Sequence, residues 1–102
     1  MEPKKFSTIG IGVTFSPNLK ANVHEASRLA LMFKTRLVLI HIGTASAEKQ
    51  NTFETLLHPF LTKGLSPKVV FAPGEPVEAI LKTVREHKVD LLILGALQRE
   101  NF

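Results

Sequence analysis

Residues 37–42 of the chain, Leu37-Val38-Leu39-Ile40-His41-Ile42, decide the fold. Their apolar side chains follow one another without the polar alternation of a strand that has one face in water. Such a strand is buried on both faces, which is typical of a parallel sheet with helices on either side. The stretch Leu91-Leu92-Ile93-Leu94, near the other end of the sequence, has the same character. The two stretches predict an α/β protein with an open parallel sheet.

Strands and helices alternate outward from this centre. The two apolar runs predict strands over residues 36–42 and 90–94, and β-branched residues before turn signals predict two more, over residues 7–14 and 68–72. Between the strands, apolar residues recur every three or four positions, as on the buried face of a helix. These residues are Leu19, Val23, Ala26, Ala30 and Phe33 in the first helix, Phe53, Leu56, Leu57, Phe60 and Leu61 in the second, and Val77, Ile80, Leu81 and Val84 in the third. The order β-α-β-α-β-α-β predicts right-handed crossovers and a Rossmann-like arrangement.

Proline, glycine and serine residues predict where the first two helices begin and end. Ser16 is expected to cap the first helix, with Pro17 at the first helical position. Pro59 lies inside the second helical pattern, so we expect it to kink or split that helix near His58. Gly64 is expected to be the residue just past the end of the second helix.

The composition describes one small domain over residues 1–102, with 44% hydrophobic residues. The absence of Cys excludes disulfides and Cys-ligated zinc. No apolar run approaches the roughly 20 residues that span a bilayer, so we expect no membrane insertion and a cytoplasmic location. The net charge is +4, but the 13 Lys and Arg residues are spread along the chain without a block of five. This spread favours a solvated surface over nucleic-acid binding.

Ligands of open parallel sheets bind beyond the carboxyl ends of the strands. The corresponding positions of this sequence lack the common catalytic and phosphate-binding motifs. No phosphate-binding P-loop occurs, and Gly10-Ile11-Gly12 lies within a strand rather than after one. Two glycines weaken that strand unless something packs closely against its backbone. The four histidines lack metal-ligand spacing, and Ser16 lacks His and acidic partners for a hydrolytic triad. We therefore predict no catalytic residue and no protein-bound metal.

Three parts of the sequence, in order, resemble the universal stress protein family. The segment 11–16 is similar to the family's apolar first strand, which ends in Val-Asp-Gly-Ser, and 37–42 is similar to its second strand, which often ends in His-Val. The stretches 74–81 and 89–95 resemble its Gly-x-Pro helix start and its Ala-Asp-Leu-Ile-Val-Met-Gly strand. The ordered set covers nearly the whole chain.

The resemblance implies a five-stranded parallel sheet of the adenine nucleotide alpha hydrolase type, in the order 3-2-1-4-5, and commonly a dimer. Many family members bind ATP or a related adenine nucleotide between strands one and four. The glycine-rich loop that follows strand four, Gly-x2-Gly-x9-Gly-Ser/Thr, cradles the phosphates. The residues that the resemblance assigns to nucleotide binding are Val13, Thr14, Phe15 and Ile42 on the adenine side, and Leu94, Gly95, Gln98 and Arg99 at the start of the phosphate loop.

The sequence departs from the family pattern at both halves of this site. Thr14 stands in the place of the strand-one aspartate, and Phe15 stands where the family has glycine. If the Phe15 ring occupies the adenine or ribose space, replacing Phe15 with glycine should help nucleotide binding. Gln98 replaces the second glycine of the phosphate loop. The rest of that loop, the final helix and the fifth strand would fall beyond Phe102. The domain is therefore expected to be incomplete at its C-terminus.

Two functions follow as expectations. The first is a stress-response module that binds ATP, with Mg only as the nucleotide's own ion and at most weak ATP hydrolysis, because no general base is visible. The alternative is a dimerisation or regulatory domain without nucleotide that acts on a protein partner, such as a fused or bound transporter. The exposed edge of strand four, or residues 96–102, is expected to form the contact of a homodimer.

Overall fold

A computed structural model describes residues 7–94 of the chain. Seven elements alternate along it: β1 (Thr8–Val13), α1 (Leu19–Phe33), β2 (Arg36–Ile42), α2 (Ala47–Leu61), β3 (Pro67–Ala72), α3 (Pro76–Glu86) and β4 (Leu91–Leu94). The four strands are parallel and lie in the order β3-β2-β1-β4. The predicted α/β class, element order and strand order 3-2-1-4 are confirmed. No helix within residues 7–94 has the length and apolar character needed to cross a membrane.

The sheet separates two apolar cores. The chain moves outward from β1 to β3 with α1 and α2 on one face, then returns to β4 with α3 on the other, as right-handed crossovers require. The larger core lies under α1 and α2 and includes Ile9, Ile11, Val13, Leu37, Leu39 and Phe53. The smaller core lies under α3 and includes Val38, Ile40, Ala72 and Ala79. The strand residues alternate between the two cores, so both faces of the sheet are buried, as the unbroken apolar runs predict.

Gly10 is the position where a neighbour packs closely on the backbone of β1. A Cβ built there would lie 2.9 Å from Val89 Cγ1 and 3.2 Å from Cγ2 of the same side chain. A Cβ built on Gly12 would meet only Leu94 Cδ2, at an ordinary 3.6 Å. The close approach that a strand glycine indicates is therefore found at Gly10. At Gly12, the described residues leave bare backbone on the α3 face.

The helix α1 begins later than the sequence predicts. It starts at Leu19, and Asn18 occupies the N-cap position without a side-chain capping bond. Ser16 instead forms a turn: its Oγ accepts a hydrogen bond from the Asn18 N–H at 3.2 Å, and its carbonyl accepts one from the Leu19 N–H at 3.0 Å. The prediction that Ser16 caps a helix beginning at Pro17 is therefore wrong, because its hydroxyl bonds the amide of a turn residue.

The helix α2 is continuous through Pro59, so the predicted split near His58 is wrong. Pro59 lies in the last turn, and both it and Thr55, whose carbonyl loses its helical donor, are exposed to water. Past the end of α2, Leu65 N–H donates to the Phe60 carbonyl and Gly64 N–H to the Leu61 carbonyl, both at 3.1 Å. This is a Schellman motif with Gly64 at φ +97°, which confirms its predicted role.

Some of the predicted inward faces point to solvent. Four apolar side chains expected to be buried are substantially exposed: Phe33 (42%), Leu61 (46%), Val77 (61%) and Leu81 (49%). In α3 the buried positions are Ala79 and Thr83 instead. Thr83 can be buried because its Oγ1 donates to the Ala79 carbonyl at 2.9 Å. The helix therefore turns a small residue and a satisfied hydroxyl to the sheet and leaves Val77 and Leu81 outside.

Candidate functional site

The carboxyl edge of the sheet carries the residues that the resemblance assigns to a nucleotide. In the register of the sheet, Gly12 is the partner of both Ile40 and Leu94, and Val13 is the partner of His41. Val13, Thr14, Ile42 and Leu94 consequently lie at one edge, on three neighbouring strands. Gly95, Gln98 and Arg99 lie outside the described residues.

The faces of the sheet divide this edge into two environments. Val13 is 3% exposed and belongs to the larger core, under α1 and α2. Ile42 packs against the smaller core, under α3. The Val13 carbonyl is already engaged, since His41 Nδ1 lies 3.1 Å from it. Neither the side chain nor the carbonyl of Val13 is open to a ligand, whereas Ile42 is partly exposed.

Phe15 closes the α2 side of the edge. Its ring lies edge-on to His41, with centroids 5.0 Å apart, and to Phe53, at 5.1 Å. His41 also meets Phe71 edge-on at 5.8 Å, so the four rings form one aromatic cluster. Lys49 Nζ lies 5.9 Å from the centroid of Phe15. The Phe15 ring therefore packs on the larger core, on the opposite face of the sheet from Ile42.

The hydrogen bond to Val13 fixes the state of His41 Nδ1. A backbone carbonyl can only accept, so Nδ1 carries the proton and donates. The sequence analysis missed this aromatic cluster because it assigned Phe53 to a helix core and His41 to a strand end. One feature of the sequence did indicate it: the polar residue that interrupts the apolar run 37–42 is a histidine. A buried imidazole packs against other rings and needs a hydrogen-bond partner for its ring nitrogens.

Loop backbones complete the edge. Gly43 has φ +149°, and a Cβ there would lie 3.2 Å from His41 Nε2, so glycine is required beside the imidazole. Lys49 Nζ donates to the Thr44 carbonyl at 3.2 Å and so ties the loop after β2 to α2.

The N-terminus of α3 is occupied by the chain's own carboxylate. Glu75 Oε1 accepts from the Glu78 N–H at 2.8 Å, and Pro76 at the first helical position has no N–H. Two acidic side chains, Glu75 and Glu78, thus complement the positive end of the helix dipole. A phosphate at this edge has to be bound elsewhere. Among residues 7–94, no group of three His, Cys, Asp or Glu side chains is arranged to hold a metal ion.

Solved structures share this architecture. A universal stress protein crystallised with cAMP is 18% identical, covers 93% of this chain and 77% of its own, and superposes with a TM-score of 0.71. A universal stress protein family member from Burkholderia pseudomallei is 17% identical, with 93% and 85% covered and a TM-score of 0.67. A family member from Arabidopsis thaliana with AMP bound is 19% identical, with 90% and 77% covered and a TM-score of 0.55.

The chain has the fold of the universal stress proteins. No protein-family model matches its sequence, and no curated protein matches it either. With identities below one in five, the likeness lies in the three-dimensional arrangement, so residue roles must be argued from this chain's own geometry. In the universal stress protein fold of this chain, the carboxyl edge is apolar and open beside Gly12, and aromatic and filled beside Phe15.

Proposed function

We propose that the chain is a stress-response module that binds an adenine nucleotide at the carboxyl edge of β1 and β4, on the α3 face. The observation that carries this proposal is the bare backbone of Gly12. It lies between Ile40 and Leu94 in the sheet register, next to the partly exposed Ile42. A strip of sheet without a side chain, walled by two aliphatic residues, suits the flat face of a purine.

Further support comes from the fold and from its solved neighbours. Two structures with the same fold contain adenine nucleotides, cAMP in one and AMP in the other. Phe15 stacks on the other face of the sheet and leaves the strip at Gly12 uncovered. Thr14 is exposed at the end of β1 and offers a hydroxyl in the place of the family's aspartate. In this proposal the phosphates extend toward Gly95, Gln98 and Arg99, and the ligand is ATP with its own Mg or a related adenine nucleotide.

The proposal is for binding without rapid turnover. Glu75, which follows β3 at this edge, caps α3 and accepts a hydrogen bond from the Glu78 N–H. A general base must reach the proton that it removes, and a carboxylate held by a helix amide is poorly placed for that.

A thermal shift series tests the proposal. Saturation of the 102-residue chain with AMP, cAMP or ATP at about 100 times the dissociation constant should add about 2.7 kcal/mol to the free energy of unfolding. Leu94→Ala should weaken that shift, because Leu94 forms one wall of the strip. Leu61→Ala is the matched control, since Leu61 is a leucine of similar exposure on α2. No shift at millimolar nucleotide, or equal losses in the two variants, would count against nucleotide binding here.

A second function is favoured by a separate observation, the outer edge of β4. Leu94, at the end of this strand, is 52% exposed. Within residues 7–94, β4 pairs only with β1, so its other edge is open. We propose that a second copy of the chain pairs along this edge, as exposed strand edges tend to do.

The association is tested by sedimentation at micromolar concentration. Leu94→Lys should shift the chain toward monomer, because Leu94 is exposed on β4, whereas Leu61→Lys, which adds the same charge at a leucine of similar exposure on α2, should not. A wild-type chain that sediments as a monomer at all concentrations contradicts this second proposal and leaves the nucleotide proposal standing.

A further inference from the structure

An apolar groove lies between α1 and the outer strand β4, on the α1 face of the sheet. Its volume is about 300 Å³, at the lower end of the range of roughly 300–1,000 Å³ found for small-ligand sites. Ile11 belongs to the larger core and Ile93 packs against it, so the groove extends this core to the surface. The apolar residues that line the groove are Ile11, Ala26, Leu29, Met32, Ile93 and Leu94.

Several of these apolar side chains are open to water. Met32 is 71% exposed, more than any other large apolar side chain among residues 7–94, and Leu94 is 52% exposed. Leu29 and Ile93 are partly exposed beside them. Contiguous exposed apolar side chains usually mark a surface that a further segment or molecule covers. Methionine adapts to an irregular partner because its side chain is flexible. The groove therefore calls for an apolar occupant.

The charges at the rim of the groove balance each other. Glu25 and Arg28 also line it, one turn apart on α1, and they form an ion pair. Their side chains are 72% and 59% exposed, so water screens this pair. A rim without net charge gives little attraction to a strongly acidic or strongly basic partner. It suits an occupant whose own charges also balance.

The chain itself brings such an occupant to the groove. Residues 95–102 lie outside the described residues and follow directly after Leu94, which lines the groove. They include two large apolar residues, Leu97 and Phe102, together with one basic and one acidic residue. Because the segment is attached at the groove, its effective concentration there is about millimolar without any further contact.

The segment is long enough to follow the groove to its other end. The helix of a β-α-β unit runs antiparallel to the strands, so Asn22 lies near the carboxyl edge, where β4 ends, and Met32 lies toward the amino edge. The helix rises about 15 Å between these two residues. Eight extended residues span at most about 26–29 Å, which leaves enough chain for a turn after Leu94.

We propose that residues 95–102 dock in this groove. Leu97, at most about 10 Å along an extended segment, covers the apolar floor beside Leu29. Phe102 reaches Met32, where the contact of a thioether with an aromatic ring is favourable. The docking removes the exposed apolar surface of the groove from water, which supplies its driving force.

Docking has a consequence for the nucleotide edge, and this step rests on the proposed function. In that proposal the phosphates extend toward Gln98 and Arg99. A docked segment holds both residues along α1, so the groove and the phosphates of a nucleotide compete for them. ATP should therefore release the segment, and docking should weaken ATP by the same factor. Because cAMP has a single phosphate, it should release the segment less.

A spin label tests the docking directly. The chain has no Cys, so Asn101→Cys gives one site for a nitroxide in the full 102-residue chain. In the nitrogen-15-labelled protein without nucleotide, the nitroxide should broaden the amide signals of residues 22–32 on α1. The signals of residues 76–86 on α3, which lies on the other face of the sheet, should stay sharp. Reduction of the nitroxide should restore the α1 signals.

A pair of variants separates docking from chance proximity. Leu97→Asp removes the leucine that docking buries, so it should lower the ratio of docked to undocked segment about tenfold or more. The broadening of residues 22–32 should fall with it. Leu61→Asp adds the same charge at an exposed leucine on α2 and should leave the broadening unchanged. Equal broadening of α1 and α3, or an equal loss in the two variants, would overturn the proposal.

A mixed sample identifies the occupant. Spin-labelled chain at natural isotopic abundance is mixed with nitrogen-15-labelled chain that carries no nitroxide. Docking within one chain predicts little broadening in the mixture. Broadening of residues 22–32 as strong as in the singly labelled sample would show that a second copy fills the groove, and it would overturn the proposal.

The competition is measured on the same spin-labelled chain. Saturating ATP should reduce the broadening of residues 22–32. Unchanged broadening in a chain whose melting temperature shows ATP binding would overturn the competition. The measurement without nucleotide judges the docking by itself, so a failure of nucleotide binding and a failure of docking are told apart.

Discussion

The two glycines of β1 lie two residues apart on the same face of the sheet, yet they should respond to alanine in opposite ways. In Gly10→Ala the new methyl group would stand 2.9 Å from Val89 Cγ1. Val89 cannot turn aside easily, because a β-branched side chain has one stiff torsion and its N–H is bonded to the Val84 carbonyl at 3.0 Å. In Gly12→Ala the methyl group would stand 3.6 Å from Leu94 Cδ2, an ordinary contact.

The magnitudes follow from packing and from backbone entropy. One extra methyl group forced into a packed core costs about 1–3 kcal/mol. Gly12→Ala should instead stabilise by about 0.4–1 kcal/mol, because alanine reduces the freedom of the unfolded chain and β1 is extended at this position. In a domain of this size, 1 kcal/mol changes the melting temperature by about 4–8 °C. The two variants should therefore differ in melting temperature by about 6 °C or more.

Urea denaturation monitored by far-ultraviolet circular dichroism measures both variants, and a double mutant assigns the cause. Gly10→Ala combined with Val89→Ala should be less destabilised than the sum of the two single changes, because each change relieves the other. Equal stability of Gly10→Ala and Gly12→Ala, or strict additivity in the double mutant, would refute the packing of Val89 on the backbone of β1.

Three further predictions concern separate parts of the fold. Backbone hydrogen bonds from Ser7 and Thr8 lower the pKa of Asp90. The Asp90 carboxylate therefore stabilises the fold fully at pH values above its ordinary pKa of about 4, and this contribution is lost as the pH falls through the lowered pKa. Asp90→Asn should reduce the loss of unfolding free energy at acid pH. An unchanged pH dependence would contradict a stabilising role for the hydrogen bonds from Ser7 and Thr8 to Asp90. Pro59→Ala should raise the free energy of unfolding by about 1–3 kcal/mol, because an exposed alanine restores an N–H to the last turn; a lower urea midpoint would show that proline stabilises that turn. Phe15→Ala should cost about 1–2 kcal/mol in urea denaturation through its two lost ring contacts and leave AMP affinity unchanged, whereas tighter AMP binding would place the ring in the nucleotide space.

The fold could be predicted from a few strong local patterns. The apolar run 37–42 is buried on both faces because helices cover both, and this burial leaves few alternatives to a parallel sheet. Gly64 could be predicted as a helix end because its backbone conformation needs glycine. In these cases one residue or one short run contains the whole physical reason.

Features that depend on tertiary packing could not be predicted in the same way. The spacing of Val77, Ile80, Leu81 and Val84 predicts a buried face of α3. It cannot show that Thr83 is buried instead, because its hydroxyl donates a hydrogen bond to the Ala79 carbonyl. At the nucleotide edge, the sequence could place Ile42 and Leu94 together, but the face on which the Phe15 ring lies depends on two distant aromatic partners, His41 and Phe53.

The most direct test of the proposed function is a map of AMP on the nitrogen-15-labelled chain by amide shifts in NMR spectra. We expect saturable shifts at Gly12, Thr14, Ile42 and Gly43, around the bare strip on the α3 face, and none at residues 34–36. Unchanged spectra at millimolar AMP, or shifts confined to residues 34–36 and 63–66, would contradict nucleotide binding at the carboxyl edge.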